Sequence, residues 1–192
     1  MHFPRSRQLL AVFAATVAVS GLSALPAQAT TQTPVRPVVH YAADRLAIAD
    51  LVAASKWISG APIEDPVREQ QVLDDVARQA EELGADPDEM RTIFRDQIEA
   101  SKVVQNGLHR RWRQHPSQAP TEAPGLEKIR DKINVASSAL VHAVADTAKE
   151  RARLGCRIEV TVGAVVESHE RHFDALHLAG LGRALPSVCH RT

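Results

Sequence analysis

Residues 56–68 read Lys-Trp-Ile-Ser-Gly-Ala-Pro-Ile-Glu-Asp-Pro-Val-Arg, and the helix break inside them sets the architecture. Gly60-Ala61-Pro62 stops one helix, because glycine frees the backbone and proline cannot continue the hydrogen-bond ladder. Asp65 is a good N-cap and Pro66 suits the first helical position, so a second helix starts there. Lys56 therefore stands near the end of one helix, and Arg68 and Glu69 stand in the first turns of the next.

Upstream, residues 38–59 read as a helix, with Leu46, Ala49, Ala53 and Trp57 recurring at spacings of three and four. Arg45 and Lys56 are eleven residues apart, about three turns, so they share a face. Two solvated charges on an exposed helix are the competing reading for this pair alone. Downstream, the second helix runs to about Leu83 and Gly84 caps it. Asp86-Pro87-Asp88-Glu89 opens a third, with Glu89 placed for a capping box. That helix reaches about His115 and carries Ser101 and Gln105 on one face, at i and i+4.

Residues 116–125 hold three prolines and read as an ordered crossing, since neither side is long enough for a comfortable core alone. A fourth helix is expected over about 126–154, with Arg130 near its start and Gly155 ending it. A fifth runs from Cys156 toward His172, although Val and Thr at 160–162 would also suit a short strand. A last short helix lies between Asp174 and Leu185. The expectation is an all-α domain of about six helices.

Residues 1–29 have the three parts of a secretory signal: Arg5 and Arg7, the apolar run 9–19, and Ala27-Gln28-Ala29 as the cleavage site. The run is too short to span a bilayer. One domain over residues 30–192 is then expected, secreted or periplasmic, with no membrane partner after cleavage. The chain has 23 Lys+Arg and 23 Asp+Glu; taking away Arg5 and Arg7 leaves 21 against 23, a net −2. That balance excludes a nucleic-acid binder. Cys156 and Cys189 are the only cysteines, and an even count in an exported chain reads as a disulfide. Closing that loop is worth roughly 3–4 kcal/mol in the chain-entropy picture.

Arg45, Lys56, Arg68 and Arg130 repel one another if brought together, so they need a polyanionic ligand or internal carboxylates. There is no serine–histidine pair and no phosphate loop. In Glu167–His172, followed by His177, His169 and His172 lie three apart on a helix, but matching carboxylates on other helices are lacking, so no metal is expected. The set suits positioning and electrostatic stabilisation.

In order and spacing these residues resemble the helical (AroQ-type) chorismate mutases, in particular their secreted subclass. The resemblance rests on Arg45 in Ala-Ala-Asp-Arg-Leu, Lys56 in Ser-Lys-Trp, Asp65-x-x-Arg68-Glu69, Ser101-x-x-x-Gln105, and Arg130. It implies the rearrangement of chorismate to prephenate without a cofactor, in a homodimer whose sites each lie largely within one chain. Arg45 and Arg130 would hold the substrate's carboxylates, with help from Ser101. Lys56 and Gln105 would be the catalytic donors to the ether oxygen. Asp65 or Glu69 would serve the ring hydroxyl or orient Arg68. Val72 stands where secreted relatives can carry glutamine. An exported, non-catalytic module for an anionic ligand or a partner protein is the alternative.

Overall fold

A computed structural model of the chain describes residues 33–190, so the signal segment lies outside the described residues. Seven α-helices follow one another: α1 Arg36–Ser59, α2 Pro66–Glu82, α3 Pro87–Gln114, α4 Leu126–Asp146, α5 Ala148–Arg151, α6 Cys156–Glu170 and α7 Ala175–Ala184. No strand interrupts them among the described residues, and residues 160–162 are helical. None of the described helices is long and apolar enough to cross a membrane.

Helix α1 is the axis of the fold. It packs against α3, α4, α6 and α7, and its buried residues occupy several faces rather than one stripe. Many of them are small (Ala42, Ala43, Ala49, Ala53), which lets the surrounding helices approach closely. On the opposing side, Gly180 of α7 serves the same end. A Cβ there would lie 2.8 Å from Val104 and 3.0 Å from Leu46.

Helix boundaries follow the local chemistry. Gly60 and Gly84 both adopt φ of +70°, the left-handed conformation in which glycine costs least. After α2, the Ala85 N–H donates to the Ala80 carbonyl at 2.8 Å, closing a Schellman turn. The Asp65 carboxylate accepts from the Arg68 N–H at 3.1 Å, and Asp86 accepts from the Asp88 and Glu89 N–H groups at 2.8 and 3.2 Å.

Two expectations need correction. Glu89 does not close a capping box, because its carboxylate turns inward to the Arg151 guanidinium at 2.6 and 3.1 Å. And α4 does not continue to Leu154. It stops at Asp146, where the Thr147 hydroxyl donates back to the Ala143 carbonyl at 2.6 Å and the Arg151 side chain takes the Val144 carbonyl at 3.2 Å. These bonds satisfy the end of the ladder, so the chain bends and the short α5 makes seven helices instead of six. The proline-rich crossing holds a single 3-10 turn, Pro116–Gln118, before α4 returns along α1 and α2.

The C-terminal third closes the back of this core. Cys156 and Cys189 are bonded, as expected. Beside them Arg151, only 1% exposed, also donates to the Val188 carbonyl at 3.0 Å, so α3, α5 and the last residues meet at one guanidinium.

Candidate active site

All eight residues singled out in the sequence line one cleft of about 780 Å³, counting its open mouth. Helix α1 contributes Arg45 and Lys56 to one wall, as the eleven-residue spacing requires. The start of α2 brings Asp65, Arg68 and Glu69, α3 brings Ser101 and Gln105, and α4 closes the far side with Arg130. Between them lie Val52, Val72, Ile98, Ile129 and Ile133, so the polar groups project from an apolar lining. Val72 is part of that apolar wall.

Arg45 sits deepest. Its guanidinium stacks 5.0 Å over the buried Phe94 ring and donates to the Ser137 hydroxyl, which in turn donates a hydrogen bond to the Ile133 carbonyl at 2.6 Å. Among the described residues no carboxylate lies within ion-pair reach of Arg45, and its Nε is buried without a partner. Burial lowers its pKa to about 10, which still leaves it charged at neutrality.

Lys56 donates to the Ile63 carbonyl at 2.8 Å, which fixes the ammonium at the mouth of the α1–α2 turn. Burial pulls its pKa below the usual lysine value; Asp65, Glu69 and Glu64 oppose that and Arg130 adds to it. None of those carboxylates pairs directly with it among the described residues.

Gln105 is 4% exposed and faces this group. One end of its carboxamide lies 3.0 Å from the Ser101 hydroxyl, and the other end is buried with no partner. The two ends have nearly the same shape. Nε2 donates to the Ser101 hydroxyl and Oε1 is the end without a partner; the amide turned the other way would accept from Ser101 and leave its N–H groups there instead.

The remaining residues are already engaged. Asp65 caps α2 through the Arg68 backbone N–H, while the Arg68 guanidinium donates to Gln71 at 3.3 Å. Glu69 accepts from the Asp65 N–H at 3.4 Å and from Lys102 at 3.4 Å. Neither acid bonds the Arg68 guanidinium. Arg130 pairs with Glu127 on the outer turn of α4. Sequence reasoning passed over Ser137 and Lys102. Ser137 carried no signal, being a lone serine inside a helix; Lys102 had one, in the glutamates at 64, 69 and 99.

Among the described residues no group of three or more His, Cys, Asp or Glu side chains could hold a metal ion. His172 lies past the end of α6, with φ of +53°.

Comparison with known proteins agrees with this geometry. The family model for chorismate mutase type II matches residues 36–106, which run from the start of α1 to just past Gln105. The secreted chorismate mutase of Mycolicibacterium smegmatis is 34% identical over 175 residues, covering 91% of this chain and 97% of that protein. The crystal structure of chorismate mutase from Burkholderia thailandensis superposes with a TM-score of 0.77 at 36% identity, over 82% of this chain and 99% of that one. The secreted chorismate mutase of Yersinia pestis shares the fold, with a TM-score of 0.63 at 21% identity, over 80% of this chain and 94% of that one. With these relatives matched over most of its length, the chain belongs to the helical type II chorismate mutases, alongside their secreted members.

Proposed function

We propose that the cleft converts chorismate to prephenate, and that the chain does so after export. The observation that carries this reading is the pair Arg45 and Lys56, two sequestered cations without a bound carboxylate among the described residues, in one cleft with a Gln105 amide that has one end unpartnered. Such a site is short of two negative charges and has a donor to spare. Chorismate is a dianion with an ether oxygen that gains negative charge as its bond to the ring breaks and the new carbon–carbon bond forms.

In this reading Arg45 and Arg130 take the two carboxylates, where planar guanidinium groups bind in bidentate fashion. Ser101 assists one carboxylate. Lys56 and Gln105 donate to the ether oxygen. The donors are fixed before the substrate arrives, by the Ile63 carbonyl and the Ser101 hydroxyl, so they stabilise the developing charge without reorganising. Holding the enolpyruvyl arm over the ring supplies the rest, by restricting the substrate to reactive conformers. Arg68 adds positive potential at the α2 side. Asp65 and Glu69 reach the ring hydroxyl only through lone pairs not spent on the α2 start and Lys102. The apolar Val72 offers the ligand a surface there and no hydrogen bond. No covalent intermediate, metal or cofactor enters this scheme. A second copy of the chain completes a homodimer, as members of this fold commonly form.

The deciding assay follows the loss of chorismate's ultraviolet absorbance with purified mature protein, alongside Lys56→Ala and Arg130→Ala. Rapid loss by the wild type, reduced by about two orders of magnitude or more in each variant, is the expected result. A rate no faster than the uncatalysed one would leave a cleft that binds an anion without this chemistry.

A further inference from the structure

Lys102 projects from α3 into the edge of the cleft and meets three carboxylates from three parts of the fold. Glu64 in the α1–α2 turn lies 2.9 Å away, Glu69 in α2 lies 3.4 Å away, and Glu99 one turn back on α3 lies 2.6 Å away. The side chain is only 13% exposed, in contrast to the solvated pairs on the outer faces of α2 and α3. Its charge is held well above the usual lysine range: burial opposes this, and the bonds to Glu99 and Glu64 outweigh it.

Two of the three acids that act on the Lys56 ammonium, Glu64 and Glu69, are gathered by Lys102; the strongest, Asp65, is not. Glu64 and Glu69 lie close enough to Lys56 to raise its proton affinity, yet neither reaches it. Asp65 also acts on Lys56, and its Oδ1 is tied to the Arg68 N–H. An ammonium collapsed onto a neighbouring glutamate would be a poor donor to a substrate oxygen, and a substrate carboxylate would have to displace that glutamate first.

We propose that Lys102 is a positioning residue, a decoy cation that holds Glu64 and Glu69 away from Lys56 and so keeps the cleft's positive charge free for a dianionic substrate. It touches no reacting atom. The proposal rests on the chorismate mutase reading for its kinetic consequence, while its electrostatic core can be tested without turnover.

The experiment is a double-mutant cycle read on two quantities. One is the titration of the Lys56 ammonium, followed by NMR in protein carrying 13C-labelled lysine; the other is the KM for chorismate. In the wild-type background Lys102→Met releases the glutamates, moves the Lys56 titration to higher pH and raises KM about tenfold, with less effect on kcat. In a Glu64→Gln/Glu69→Gln background, where Glu99 still pairs with Lys102 but neither glutamate that acts on Lys56 is left to restrain, the same substitution moves neither quantity. Lys102→Arg keeps the charge and tracks the wild type, which also covers the case in which Lys102→Met folds poorly. A Lys56 shift that persists undiminished in the glutamine background would mean simple repulsion between the two lysines, and would overturn the proposal. An unmoved Lys56 titration in the wild-type background would overturn it as well, whatever KM does. Absence of turnover in the wild type would count against the mutase reading alone, since the titration arm would still decide the role of Lys102.

Discussion

Replacing Gln105 by glutamate should turn an enzyme indifferent to pH around neutrality into one that works only in acid. The side chain is 4% exposed, so the new carboxyl would sit where the amide now sits, with one oxygen on Ser101 and the other facing the cleft. Only its protonated form can donate to the ether oxygen; the ionised form would set a negative charge against the developing one. Burial raises the carboxyl's pKa from its ordinary value of about 4.3, and the cations of the cleft pull it back. With the ordinary value of about 4.3, roughly 0.2% of the sites would carry the proton at pH 7, and kcat/KM would stand about 500-fold below its acid plateau. Each unit of acidification should recover about tenfold until the plateau is reached.

The wild type has no such group. Its decline should come on the alkaline side, as Lys56 loses its proton below the usual lysine value and Arg45 at about 10. The assay is chorismate disappearance from pH 4.5 to 9 for both proteins, with circular dichroism at each pH to confirm that the fold persists. A variant profile parallel to the wild type, or equal inactivity at pH 5 and pH 7 in a folded variant, would refute the reasoning. So would a wild type active only in acid.

Two other outcomes follow from the ion pairs. Glu127 is 85% exposed and occupies Arg130, so substrate must compete with it; an exposed pair is worth about 0.2–1 kcal/mol, and Glu127→Gln should lower KM by up to about fivefold. A higher KM in steady-state kinetics would show that Glu127 helps binding instead. Glu89→Gln strands the Arg151 charge in the core, at about 3 kcal/mol, or roughly 6–12 °C in Tm for a domain of this size. Thermal melts with the disulfide kept oxidised check this, and a loss under 2 °C would mean that the carbonyls of Val144 and Val188 suffice for that guanidinium.

Most helix ends were legible in the sequence, and so was the set of residues that line the cleft. Arg45, Lys56, Arg68, Ser101 and Gln105 could be collected because each sits at a position fixed by local rules: an eleven-residue spacing along α1, an aspartate–proline start for α2, and an i, i+4 pair on α3. Such rules involve only neighbouring residues. The break at Thr147 was not legible, because it depends on Arg151 reaching back to the Val144 carbonyl while also binding Glu89 on α3. The same long-range contact diverted Glu89 from its capping box. Asp65 was placed correctly and its role left open; the structure spends one of its oxygens on the α2 N-terminus. Ser137 could not have been found without knowing that α4 crosses Arg45.

Every group proposed for the chemistry lies between residues 45 and 130 of a single chain, and α5–α7 contribute none. A catalyst released from the cell is diluted without limit, and a pocket assembled from two subunits would come apart as the concentration fell. In the proposed scheme this cleft draws only on its own polypeptide, so its capacity to act would travel with each molecule, however far it drifts from the next.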